Sequence, residues 1–176
     1  AHIILACRSE APVVEREILD ANGSVSVLHL DLLSLQSVRK CARALSEKRI
    51  DVFILNAGIN TNTPSPRHPD MPRCSTVFGV NFVAHFLLIR LLGYTTLKHT
   101  RIIALSSVMH HFALPSLMSF DANDSTGFLS VLEADYSESK LAMNLLTNAL
   151  AEARFFPQDA TSEEGIESMH AIAVNP

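Results

Sequence analysis

The chain has no long run of charge of one sign, no Cys-x-x-Cys pair and no stretch of roughly 18 uncharged apolar residues. Each absence excludes a class of function. Its 14 basic and 18 acidic residues are interspersed and leave a net charge of −4, so the electrostatic footprint of a nucleic-acid binder is missing. Cys7, Cys41 and Cys74 are odd in number and widely spaced. That argues against a disulfide framework or a zinc site and for a reducing, intracellular, cytoplasmic setting. The most apolar run, Phe82 to Leu92, is interrupted by His85 and Arg90 and reads as a core helix. No membrane span is therefore expected within the chain, while membrane association of a longer protein stays open. No methionine or leader precedes the apolar run His2–Cys7, and the chain stops just after another one, at Val174-Asn-Pro176. The expectation is a chain truncated at both ends.

What is present suits one α/β domain: 176 residues, 48% of them apolar, enough to bury a substantial core over residues 1–176. Short apolar runs bounded by turn residues occur at Ile3–Ala6, Val25–Leu30, Val52–Leu55, Ile102–Leu105 and Ala171–Val174. They predict five parallel strands buried on both faces. Helical spacing fills the intervals at Pro12–Ala21, Leu35–Ser46, Cys74–Leu92 and Ala134–Arg154, with Ser34 as a cap for the second. Such alternation predicts a Rossmann-like, doubly wound parallel sheet whose ligands gather beyond the carboxyl ends of the strands. The segments Asn60–Pro72 and Met109–Glu133 are too broken or polar for regular structure and too long for ordinary connectors, a pattern of loops that build sites.

Several residues then stand where chemistry is expected. Tyr136 and Lys140 open a helical segment four residues apart, on one face. An ammonium beside a phenol stabilises the phenolate, which lets the tyrosine exchange a proton at neutral pH; the plain alternative is an ordinary surface pair. Ser106-Ser107 follows the strand Ile102–Leu105, where a hydroxyl can meet a substrate oxygen. Asn56-Ala57-Gly58 follows Val52–Leu55, and its small residues let backbone approach a flat ligand or simply turn. Asn81 lies within an apolar helix, where a carboxamide needs hydrogen-bonding partners. His110 and His111 have no companions at metal-ligand spacing, so no metal is expected. Phe112, Leu114, Leu117, Met118, Phe120 and Phe128 fit either core packing or a pocket for a lipophilic substrate.

The order Asn56-Ala-Gly58, Asn81, Ser106-Ser107 and Tyr136-x-x-x-Lys140 resembles the short-chain dehydrogenase/reductase family. Arg8 after Leu-Ala-Cys, Leu30-Asp-Leu32, Val80-Asn-Phe-x-x-His-Phe, Ser106-Ser-x-x-His110 and Ser139-Lys-Leu-Ala142 further resemble its retinol dehydrogenase and WW-domain oxidoreductase branch. The resemblance implies an oxidoreductase that moves a hydride between a nicotinamide cofactor and a lipophilic, retinoid- or steroid-like alcohol or carbonyl. By it, Tyr136 is the general acid/base, Lys140 assists the tyrosine and holds the nicotinamide ribose, Ser107 orients the substrate oxygen, and Asn81 anchors a proton-relaying water. Asp31, with Leu32 beside it, would hold the adenine, next to the strand end Asn56–Gly58.

The first strand ends in Cys7-Arg8, with no carboxylate at that turn. Arginine there suits the 2′-phosphate of NADP, which is the expected cofactor, with NAD as the alternative. The family's glycine-rich phosphate loop and first βα unit, and its C-terminal segment, have no counterpart in the sequence. A further departure is the acidic stretch Phe156–His170, read as a surface insertion. Two other readings are a nucleotide-sugar epimerase or dehydratase, which also uses Tyr-x-x-x-Lys, and a degenerate domain that binds protein without catalysis. A homo-oligomer is compatible with all of them.

Overall fold

The computed structural model describes residues 1–60, 65–113, 134–152 and 170–175. In chain order these form β1 (His2–Cys7), α1 (Pro12–Asp20), β2 (Ser24–His29), α2 (Leu35–Leu45), β3 (Val52–Leu55), β4 (Arg67–His68), β5 (Met71–Ser75), α3 (Thr76–Phe78), α4 (Ala84–Leu97), β6 (Arg101–Leu105), α5 (Ala134–Ala151) and β7 (His170–Val174). A wide π turn, Gly79–Val83, joins α3 to α4, and a 3₁₀ turn, Val108–Phe112, follows β6. The five strands expected from the apolar runs are present and parallel, as a Rossmann-like α/β fold requires. They fall into two separately bonded groups, β1–β2 and β3–β6–β7, because no described strand links β1 to β3.

Side chains alternate across β3–β6–β7 with the period of two that the pleat imposes. Phe53, Leu55, Ile102, Ala104 and Ala171 point into a core shared with Val38 of α2, Leu88 and Ile89 of α4, and Met143 and Leu150 of α5. Burying such aliphatic side chains contributes about 1.5–3 kcal/mol each. The opposite face is not buried as the apolar runs suggest: Val52, Ile54, Ile172 and Val174 are 41–57% exposed. Among the described residues the covering is one-sided, since α2, α4 and α5 all contribute to the same core.

Helix starts follow local chemistry. The Ser34 hydroxyl accepts from Ser37 N at 3.3 Å and caps α2, as its sequence position suggests. The next helix begins later than the apolar spacing predicts. Cys74 and Ser75 belong to β5, and Ser75 Oγ caps α3 by accepting from Phe78 N at 3.1 Å. The segment read as irregular therefore contains a hairpin, β4–β5, with His68 paired to Met71 across the two-residue turn Pro69-Asp70. The hairpin docks outward from itself: Asp70 Oδ2 accepts from Leu35 N at 2.8 Å, and the buried His68 ring meets Leu32 O at 3.5 Å.

The helical stretch Thr76–Leu97 is by length and composition apolar enough to cross a membrane, which the charge at Arg90 concealed in a search for uncharged runs. In this fold 56% of its most apolar window is buried inside the protein. The stretch is interrupted at Gly93, whose φ of 72° and ψ of 171° lie in a region essentially confined to glycine. A Cβ at Gly93 would meet nothing within 4 Å, so its replacement is penalised by backbone conformation alone. Gly93→Ala should lower stability by about 1–3 kcal/mol in chemical denaturation. An unchanged midpoint would mean that the chain relaxes to an ordinary helix there at no cost.

Candidate active site

Parallel strands place their carboxyl ends together, and the residues that follow them are the ones singled out by sequence. Arg8 follows β1 and is exposed, and Leu30 N at the end of β2 donates to Cys7 O at 2.9 Å, which brings the Arg8 and Asp31 turns side by side. Asp31 is fixed by its neighbours: its N–H donates to Ser37 Oγ at 2.9 Å and its Oδ1 accepts from Leu33 N at 3.0 Å. Leu32 is buried, whereas Asn56, Ala57 and Gly58 beyond β3 are exposed.

Beyond β6 the two serines part company. Ser106 is buried and donates its hydroxyl to Lys140 O at 3.0 Å, while Ser107 is half-buried and caps the 3₁₀ turn, accepting from Met109 N at 3.3 Å. That turn packs against α5. Lys140 is buried within it, donates Nζ to Leu105 O at 2.9 Å, and lies 5.4 Å from the centroid of the Tyr136 ring. Burial pushes the Lys140 ammonium below the usual lysine range. The helical spacing of four thus brings phenol and ammonium together at the carboxyl end of β6. His110 donates from Nδ1 to Ser107 O and stacks on His111, with ring centroids 4.0 Å apart, so His110 shapes this turn. Val108 and Phe112 stand 58% and 69% exposed on it. Leu114, Leu117, Met118, Phe120 and Phe128 lie outside the described residues, as does the acidic stretch before His170, which itself opens β7.

Asn81 sits in the π turn and its carboxamide is engaged on both sides. Oδ1 accepts from Ile59 N at 2.7 Å, and Nδ2 donates to Ile59 O at 2.9 Å and to Ser139 Oγ at 3.1 Å. The side-chain amide of Asn81 is therefore bonded to the chain itself. Ser139 in turn donates to Tyr136 O at 2.7 Å, which ties this turn to α5 between the tyrosine and the lysine. A Cβ on Gly58 would lie 3.2 Å from Asn81 Oδ1, tight enough that the amide would have to give by a few tenths of an ångström, and in ordinary contact, 3.6 Å, with Lys140 Nζ. Ser139 and His85 stand in the sequence only within family-like strings, and Ser106 only beside Ser107, none with a role of its own. A signal existed for His85, a second polar residue in the same apolar helix as Asn81.

On the other side of α5, Glu138 is buried and Asp135 half-buried beside the β4–β5 hairpin. Burial, and then the neighbouring Asp135, push the Glu138 carboxyl up to about 7. Asp135 is also raised by burial, opposed by a hydrogen bond from Ser75 and by the Arg67 charge. Burial raises the Cys74 thiol to about 11, so it is not a nucleophile at neutral pH. Among the described residues, no group of three or more His, Cys, Asp or Glu could hold a metal ion.

The sequence profile of short chain dehydrogenases matches residues 1–123. Human retinol dehydrogenase 13 is 36% identical over 158 residues, covering 85% of this chain and 46% of that protein. Human WW domain-containing oxidoreductase is 31% identical over 179 residues, covering 92% of this chain and 41% of that protein. Among solved structures, a chain from Beutenbergia cavernae described as an NAD(P)-dependent gluconate 5-dehydrogenase with bound NADP superposes with a TM-score of 0.61 at 29% identity. That match covers 85% of this chain and 55% of the other. The chain spans about half the length, or less, of the relatives it matches.

The Glu138 environment has a consequence for stability. The folded protein holds this proton more tightly than the unfolded chain, whose carboxyl titrates near 4.5. Its contribution is therefore full below pH 4.5 and lost as pH rises through about 7. Glu138→Gln, an uncharged isostere, should flatten that decline and make the protein more stable than wild type at pH 8 but not at pH 4.5. Denaturation midpoints at the two pH values read this directly, and parallel curves for the two proteins would refute it.

Proposed function

The chain belongs to the short-chain dehydrogenase family, and from that membership we propose that it forms most of the domain of an oxidoreductase that transfers a hydride between NADP(H) and a lipophilic alcohol or carbonyl carbon. The observation that carries this reading is the meeting of Tyr136, Lys140 and the Ser106-Ser107 turn at the carboxyl end of β6. The residues present fit a dinucleotide. Gly58 leaves backbone bare against Lys140, and Arg8 presents an exposed guanidinium beside the Asp31 turn.

The nicotinamide supplies the hydride acceptor or donor. In the direction of oxidation, the Tyr136 oxygen would take the proton of the substrate's hydroxyl while the carbon bearing that hydroxyl loses hydride to the nicotinamide and becomes a carbonyl; in reduction, Tyr136 would return a proton to the carbonyl oxygen as hydride reaches its carbon. Lys140, held by Leu105 O and beside the Tyr136 ring, would hold the nicotinamide ribose with its remaining donors. Ser107 orients the substrate oxygen, a role Ser106 cannot share because its hydroxyl is bonded to Lys140 O. Asp31 and Leu32 would hold the adenine end, beside Asn56, Ala57 and Gly58 at the neighbouring strand end. Asn81 acts as a positioning residue through Ile59 and Ser139. The exposed Val108 and Phe112 beside Ser107 support a lipophilic substrate.

In the intact protein, Tyr136→Phe should leave NADPH binding within a small factor of wild type and reduce turnover of a retinoid or steroid carbonyl by about 10²–10⁴-fold. Near wild-type turnover would remove Tyr136 from the acid/base role. Arg8→Glu should weaken NADPH by about 10–100-fold, the loss of a charge-assisted contact, while changing NADH far less. Binding titrations with both cofactors test it, and an unchanged preference would assign the 2′-phosphate to other residues.

A further inference from the structure

The turn that faces the proposed cofactor is held from behind by two side chains of one helical stretch. Asn81 bonds both backbone groups of Ile59. Four residues on, His85 is 4% exposed and its Nε2 lies 2.8 Å from Ala57 O. A carbonyl can only accept, so Nε2 carries the hydrogen and Nδ1 does not need one. Between these two anchors lies Gly58, where a Cβ would stand 3.2 Å from Asn81 Oδ1 and 3.6 Å from Lys140 Nζ, so residue 58 and the lysine are packing neighbours. The positions of residues 57 and 59 therefore fix how deeply residue 58 sits against the lysine.

We propose that His85 is a positioning residue for hydride transfer: by donating from Nε2 to Ala57 O it sets the depth of the Asn56–Gly58 turn against Lys140 and, through it, the place of the nicotinamide ribose. The inference rests on the oxidoreductase reading above. The ring is held at Nε2 by the Ala57 carbonyl at β3's end, its buried Nδ1 has no hydrogen-bond partner among the described residues, and Lys140 of α5 is the charged group that acts on it. Burial, and then the Lys140 charge, hold the imidazole below its usual range, against the Ala57 hydrogen bond that favours protonation. A protonated ring would place a second cation behind the same glycine, so the clamp works as a neutral donor.

Two experiments on the intact protein test this. First, ¹⁵N NMR of the histidine rings should show His85 as the Nε2–H tautomer with no titration around pH 6.5. A ring that titrates like a free imidazole, or carries its proton on Nδ1, overturns the clamp whether or not the protein binds NADPH. Second, NADPH binding and steady-state kinetics should separate two variants of similar size. His85→Gln, whose amide can still donate to Ala57 O, should keep the NADPH dissociation constant within about threefold of wild type, whereas His85→Phe should weaken it by about tenfold. In His85→Phe the loss should appear in KM for NADPH more than in KM for substrate. A folded His85→Phe with wild-type NADPH affinity overturns the proposal. Should that variant not fold, a folded His85→Gln whose NADPH dissociation constant rises by about tenfold or more does the same. Wild-type protein that fails to bind NADPH would instead defeat the oxidoreductase reading and leave the tautomer result to judge the clamp.

Discussion

A carboxamide buried in a helical stretch as apolar as Thr76–Leu97 is tolerable only if its donor and acceptor are both used, and at Asn81 they are. Leaving such a group unpaired costs about 1–3 kcal/mol, so the helix, the strand end at Ile59 and the start of α5 have to stay in one arrangement. Everything the site needs is referred to that point. Gly58 lies against Asn81 on one side and Lys140 on the other, and Ser139 links the same amide to the backbone of Tyr136.

A second set of bonds ties the chemistry to the sheet. Ser106 reaches from the end of β6 to the Lys140 carbonyl, and Lys140 reaches back to Leu105 O. The two bonds run in opposite directions across the same gap, so α5 cannot slide along β6 without breaking one of them. The phenol and ammonium are thus carried by a helix pinned at the point where the strand ends. Groups held on rigid elements keep their geometry better than groups on loops.

The strands were legible in the sequence because apolar runs four to six residues long, bounded by polar turns, have few other uses in a chain of this composition. Tyr136 and Lys140 were legible for a similar reason: their spacing matters only on a helix, and Ala134–Ala151 is helical. The hairpin was hidden by Pro66, Pro69 and Pro72, which read as breakers. It survives because Pro69 occupies the turn and the pairing is bulged between Arg67 and His68. Long-range partnerships were not legible at all. Nothing local in Val80-Asn-Phe-Val-Ala-His shows that the amide meets residue 59 and the imidazole residue 57. The one-sided covering of β3–β6–β7 was hidden too, since Ile54 and Ile172 are as apolar as the residues that are buried.

The π turn at Gly79–Val83 holds one residue more than an α-helix would use there. Gly79 makes room for it, since a Cβ would collide with the buried His68 ring. Each residue turns a helix by about 100°, so this extra one sets the phase of everything that follows. Deleting a single residue within it would restore tighter hydrogen bonding locally and yet rotate α4 by that angle. Such a deletion would swing His85 off Ala57 and turn Leu88, Ile89 and Leu92 out of the core. The locally less regular turn is therefore a place where chain length is not free to vary, and Phe82 within it is held further by packing against the core and against the rings of Phe78 and Phe86.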